Sequence, residues 1–167
     1  APGAEPRALA EQARHRPERR QDSRGEREAV APHARLARLP DEAHDLEEMA
    51  TLAFTEPNGK WDESGITAVA SGKGDKWTVD GSKSFVLDGN TAGLIIVAAR
   101  TGKGVSLFAV DGDAKGLTRT ALSTMDQTRK QAKLDFAGTP ATLVGTDGDG
   151  WNVLSRVLDL AAVALAA

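Results

Sequence analysis

The sequence has no cysteine, which excludes a disulfide framework, a thiolate nucleophile and a cysteine metal site. It has no dominant charge: the formal net charge is -3, with both signs mixed, so it carries no electrostatic footprint for nucleic acid. It has no long apolar run either. The longest, Leu160 to Ala167, is mostly alanine and too short to span a bilayer. No basic flank followed by an apolar stretch marks the N-terminus as a signal peptide. With 167 residues there is room for one domain and a tail, and the expectation is a cytoplasmic protein with no membrane or nucleic-acid partner.

What is present is unevenly spread. Residues 1–48 hold nine arginines and no lysine, while the remainder holds four arginines and eight lysines. His15, His33 and His44 all precede residue 49, as do five of the seven prolines; every Trp, Phe, Ile and Thr follows it. Only Leu9, Val30, Leu36, Leu39 and Leu46 supply large aliphatic surface in the first part, too little to offset the entropy of ordering it. It is expected to be disordered or weakly helical, with Pro17, Pro32 and Pro40 interrupting any helix. Acids alternate with its arginines, so it reads as a solvated segment rather than an RNA-binding arm. The histidines lack metal-ligand spacing, and without a histidine beyond residue 48 a Ser-His-Asp triad is excluded there.

From Ala50 the pattern is one of strands and turns. Ala50 to Phe54 and Ile66 to Ala70 read as short strands. Lys76 to Val79 alternates, Asp80-Gly81 is expected to turn the chain, and Ser82 to Leu87 to run back. Leu94 to Ala99 is nearly continuous in apolar residues, as in a strand buried on both faces. Thr101 to Gly104 turns it into Val105 to Val110, and Gln131 to Phe136 alternates with Ala132, Leu134 and Phe136 inward. Short strands with turn signals at this spacing predict a mainly β chain, an antiparallel β-barrel or sandwich. After Asp147 to Gly150 the period changes. Trp151, Val153, Leu154, Val157, Leu158, Ala161 and Leu165 form a helical stripe that Asp149 is placed to cap. No stop signal ends it, which suggests a chain cut inside a helix whose apolar face lacks a partner. Asp147 to Gly150 lacks the acids of a calcium loop, and Gly72 to Gly74 and Gly102 to Gly104 lack the spacing of a phosphate loop.

Several segments carry a resemblance in a fixed order. Phe54-Thr55-Glu56-Pro57, then a loop and Asp62, is similar to a Thr-Glu-Pro strand end followed by Gly-Ser-Asp. Val79 to Val86 resembles an Asn-Gly-x-Lys-x-Trp hairpin. Ala92 to Arg100, Gly104 to Val110, Lys115 to Leu117, Leu134 to Phe136, Leu143 to Gly145 and Asp149 to Trp151 follow in the same order. This set resembles the middle β-barrel domain of the acyl-CoA dehydrogenases. The resemblance implies residues 49–147 as that domain and 148–167 as the first helix of a C-terminal helical domain, with 1–48 an atypical segment outside it. It implies α,β-desaturation of an acyl-CoA thioester with FAD, which lies between barrel and C-terminal domain. It also implies oligomerisation with acyl-CoA dehydrogenase subunits, and an electron-transfer flavoprotein as electron acceptor.

Residue by residue, the resemblance makes Thr55 the hydroxyl at the flavin pyrimidine edge, Phe54 the apolar neighbour, and Phe85 an aromatic face where the family has tryptophan. Lys60 and Trp61 replace Gly-Ser, so that a flexible cation and an indole stand where the family contacts the pyrophosphate. Leu87 replaces a threonine and cannot hydrogen-bond. Asp159 is kept as a substrate-side residue, whereas Ala162 replaces an arginine that helps hold CoA. The family's catalytic glutamate belongs to the C-terminal domain. Beyond residue 48 only Glu56 and Glu63 are found, and neither matches it. The expectation is therefore an inactive fragment, with residues 1–48 read from another frame. The alternatives are a non-catalytic partner subunit or a freestanding β-barrel binding module.

Overall fold

The structure, a computed structural model, describes residues 49–126 and 128–166; the expectations for residues 1–48 lie outside the described residues. Among the described residues seven strands precede one helix: β1 Ala50–Ala53, β2 Val69–Lys73, β3 Lys76–Leu87, β4 Leu94–Thr101, β5 Gly104–Asp111, β6 Leu117–Ala121, β7 Gln131–Val144 and α1 Gly150–Ala166. A single 3₁₀ turn, Glu63–Gly65, interrupts the loop between β1 and β2.

Five strands close into a barrel in the order β4, β2, β3, β7, β5, with β5 returning to β4. Closure removes the exposed sheet edges that would invite aggregation. Four of the seams are antiparallel, as expected; the fifth, Val69 opposite Arg100, is parallel. Outside the ring, β1 lies parallel to β4 and β6 lies antiparallel to β7. Among the described residues no helix is long and apolar enough to cross a membrane.

The Asp80-Gly81 hairpin is overturned. The turn falls between Lys73 and Lys76, and β3 runs unbroken through Gly81. Gly81 has φ 136°, and its missing Cβ leaves room for Ala68, whose Cα lies 2.8 Å from where that atom would sit. The dipeptide thus stays inside β3, opposite a bulge in β7: between the pairs Val79–Thr139 and Gly81–Phe136, β3 has only Asp80 whereas β7 has Ala137 and Gly138. The expected strand from Ile66 begins only at Val69, because Ile66 closes the 3₁₀ turn. β7 continues past Phe136 to Val144, and β6 was not anticipated.

Two apolar clusters result. Val79, Val86, Ile95, Val97, Phe108, Val110 and Leu134 fill the barrel, with Trp77 tilted over Phe108 at a ring distance of 5.3 Å. The other face of β4 and β5 offers Ala98, Val105 and Leu107, which pack with Ile66 and with Leu154 of α1. The alternation of β4 between these clusters explains its continuous apolar run. Ahead of α1, Asp147 accepts from Thr101 Oγ1 at 2.6 Å and Ser106 Oγ at 2.9 Å. Gly150 then sits directly on the Ser106 backbone, where a Cβ would approach Ser106 Cα to 2.6 Å. The Asp149 carbonyl accepts from Val153 N–H, while its carboxylate accepts from the Asn152 side-chain amide at 2.6 Å rather than from a backbone N–H. Leu160, Val163 and Leu165 of α1 are exposed.

Candidate functional site

The candidate site is built where the chain leaving β1 meets the end of β3. Thr55 and Ser84 are tied twice: Ser84 N–H donates to the Thr55 carbonyl at 2.9 Å, and Thr55 Oγ1 donates to the Ser84 carbonyl at 2.5 Å. Thr51 Oγ1 adds a bond to the Leu87 carbonyl at 2.6 Å. Between Lys83 and Val86 the pairing of β3 with β7 shifts register, and Phe85 takes φ 58°. This left-handed conformation is costly for a bulky residue. It accompanies an outward-facing ring that is 59% exposed, beside two buried neighbours, Ser84 and Val86.

Under this surface lies a buried ion pair. Lys83 Nζ reaches Glu56 Oε1 at 2.7 Å, with the two side chains 0% and 2% exposed. Glu56 also accepts from Thr67 N–H at 2.9 Å, from Ala68 N–H at 3.0 Å and from the Thr67 hydroxyl. Burial pushes its carboxyl up, but the bonds from Ala68, Lys83 and Thr67 outweigh that and hold it below the usual 4.5. Burial lowers the Lys83 ammonium below its usual value, with Glu56 opposing the shift.

The loop carrying Lys60 and Trp61 is pinned from both ends. Asn58 bonds Lys60 N–H and the Gly65 carbonyl through its side chain, at 2.9 and 2.8 Å, and Asp62 caps the 3₁₀ turn through Ser64 N–H. From β4, Arg100 donates to the carbonyls of Ile66 and Glu63, each at 2.6 Å. Trp61 is 69% exposed and meets Phe54 edge-on, with ring centroids 5.2 Å apart at 85°. Lys60 Nζ lies 3.3 Å from Ser64 Oγ.

Of the residues singled out in the sequence, Phe54, Thr55 and Trp61 thus lie on the strand end and loop after β1. Phe85 and Leu87 lie on the stretch of β3 stitched to that strand end. Asp159 is exposed on α1, and among the described residues no hydrogen bond or ion pair connects it to this group. The Glu56–Lys83 pair escaped sequence reasoning. Its only signal was that both charges fall inside otherwise apolar or small-residue segments.

Phe85 and Trp61 are exposed aromatic rings, whereas Thr55 is buried and its hydroxyl proton is committed to the Ser84 carbonyl. Lys60 is exposed in the same loop as Trp61.

Residues 51–153 match the family profile described as "Acyl-CoA dehydrogenase, middle domain". The chain belongs to the acyl-CoA dehydrogenase family. The acyl-CoA dehydrogenase of Bacillus subtilis is 28% identical over 129 residues, which is 71% of this chain and 34% of that protein. The crystal structure of an acyl-CoA dehydrogenase from Geobacillus kaustophilus is similar with a TM-score of 0.61 and 31% identity, covering 66% of this chain and 32% of that one. A chain in the structure of the electron transferring flavoprotein of Acidaminococcus fermentans gives 0.61 and 27%, covering 67% and 32%. The chain thus spans about a third of the length of these relatives.

Proposed function

We propose that this chain supplies the flavin-facing β-barrel of a FAD-dependent acyl-CoA dehydrogenase that desaturates an acyl-CoA thioester between its α and β carbons. The observation that carries this reading is the outward-turned ring of Phe85, on left-handed backbone beside Thr55, in a chain whose family is acyl-CoA dehydrogenase. Phe85 and Trp61 bind ring faces and exclude water from them, Thr55 Oγ1 accepts a hydrogen bond at the ring edge, and Lys60 places a positive charge for a phosphate. When bound, FAD supplies the two-electron acceptor for the hydride leaving the β carbon. Removal of the α-proton is not assigned to Glu56, because four donors and burial hold it as a structural carboxylate. The base therefore comes from elsewhere in the assembled enzyme. Asp159 is proposed on the substrate side. Acyl-CoA dehydrogenase subunits and an electron-transfer flavoprotein are the proposed partners.

A second reading, a non-catalytic partner subunit, is favoured by Leu87 and Trp61, which offer apolar surface where polar contacts to a cofactor are expected. The two readings separate when the full chain is titrated with FAD, alone and co-expressed with acyl-CoA dehydrogenase subunits. Flavin that is retained by the complex, quenches Trp61 fluorescence and is lost in Phe85→Ala supports the flavin-facing barrel. A flavin-loaded complex insensitive to Phe85→Ala and Thr55→Val supports the partner subunit. If no combination holds flavin and the chain binds another ligand, it is a freestanding binding module and the enzyme reading fails.

A further inference from the structure

A buried ion pair such as Glu56–Lys83 is weak evidence of a stabilising role, since such pairs can commonly be replaced by apolar residues of similar volume without loss of stability. Its placement is more informative. Glu56 directly follows Thr55, and Lys83 lies two residues before Phe85. The pair bridges 27 residues of sequence and joins the two segments that carry the candidate site. Lys83 Nζ also lies 3.4 Å from the Phe54 carbonyl, so its ammonium reaches both sides of Thr55. Glu56 in turn holds the start of β2 through Thr67 and Ala68. Ala68 is the residue against which Gly81 packs. The segments at Thr55, Thr67 and Lys83 are thereby fixed to one another from within. A left-handed Phe85 persists only where its surroundings over-determine it, and directional charged hydrogen bonds can do what sliding apolar contacts cannot.

We propose that Glu56 and Lys83 are positioning residues: their buried ion pair sets the separation and tilt between the Thr55 hydroxyl and the Phe85 ring, and so the seat for a planar aromatic cofactor. This rests on the flavin-facing reading of the site. It deepens that reading by assigning the accuracy of the seat to two residues that touch no ligand.

The test uses the full chain, co-expressed with its subunits where flavin loading requires them, as wild type and as the paired variant Glu56→Gln with Lys83→Met. Three quantities are read: FAD affinity by flavin fluorescence, amide exchange at Ser84, whose N–H bonds the Thr55 carbonyl, and the Phe85 ring resonances. The paired variant is expected to stay folded, to shift the Phe85 resonances, to exchange Ser84 faster and to bind FAD at least about tenfold more weakly, the equivalent of ~1.4 kcal/mol. A folded paired variant with wild-type FAD affinity overturns the proposal. Wild type that binds no FAD in any complex overturns the flavin-facing reading instead; Ser84 exchange and the Phe85 resonances then still decide the positioning role, and unchanged values reject it. If the paired variant does not fold, Thr67→Val removes one hydroxyl bond to Glu56 without stranding a charge. It is expected to move the same readouts in the same direction by less, and no movement overturns the proposal.

Discussion

Breaking the ion pair from either side should cost different amounts. Removing one partner of a buried pair typically destabilises by ~3–5 kcal/mol, because the other charge is left uncompensated. Here the two ends are not equally supported. After Lys83→Met, Glu56 still accepts from Thr67 N–H, Ala68 N–H and the Thr67 hydroxyl, so the loss should fall near the lower bound, ~3 kcal/mol. After Glu56→Gln, Lys83 keeps its charge, the Phe54 carbonyl at 3.4 Å and at best a neutral amide oxygen. That loss should approach ~5 kcal/mol. The paired variant strands no charge, so it should cost less than either single, far below the sum of the two. Urea unfolding of the full chain, followed by Trp fluorescence and by circular dichroism, gives all four corners of the cycle. Additive losses, or a Lys83→Met cost exceeding that of Glu56→Gln, would refute the view that the backbone donors around Glu56 share its charge.

Other outcomes follow from the same geometry. Glu56 contributes stability that is fully present above about pH 4.5 and is lost as pH falls through its lowered folded value; Glu56→Gln should therefore flatten the acid limb of melting temperature against pH, and an unchanged limb would reject it. Gly150→Ala drives a Cβ into the Ser106 backbone and should cost about 1–3 kcal/mol; calorimetry together with faster amide exchange in α1 reads the effect, and wild-type protection there would contradict the close packing. Arg100→Met removes two bonds to the loop at Glu63 and Ile66; amide exchange at Gly65 and Ile66 should rise while the β3–β7 seam keeps its protection. Gly81→Ala should destabilise the barrel, since the added Cβ meets Ala68 at a φ of 136°, and a variant as stable as wild type would disprove that close approach.

The fold was legible because its signals are local and redundant. The β4 run Leu94 to Ala99 reads as a doubly buried strand and is one, with Ile95, Val97 and Ala99 in the barrel and Ala98 beneath α1. The Gly102-Lys103 turn and the change of period after Asp147 were equally visible. Asp80-Gly81 misled because the same dipeptide serves a hairpin turn and a strand interior pressed against a neighbouring backbone. The choice depended on Ala68, a neighbour thirteen residues away in sequence whose proximity appears only once the barrel closes. In β6, Leu117 to Ala121 alternates, but the stretch is short and bears Arg119, whose guanidinium donates to the carbonyls of Gly89, Ala92 and Gly112. A charge that satisfies backbone carbonyls looks, in sequence, like a charge on a loop.

The site was legible in part, and its two halves were hidden to different degrees. Thr55, Phe54 and Phe85 were singled out by resemblance. The pair that joins their segments was missed, because a lysine inside a strand is normally read as outward-facing. Local rules break together at this end of the barrel: a non-glycine residue in left-handed conformation at Phe85, a second at Asp88 three residues on, a buried lysine, and exposed aromatic rings at Phe85 and Trp61. Each is a cost that packing alone gives no reason to bear. Departures of this kind are expected where a sequence answers to function as well as to folding. Asp88 is the milder case, since aspartate tolerates this region better than most residues. For Phe85 the conformation has no such excuse, and the outward ring is what the strain maintains. Four donors and burial make Glu56 a structural carboxylate, which is why the role proposed for this face is to hold and orient rather than to take the proton.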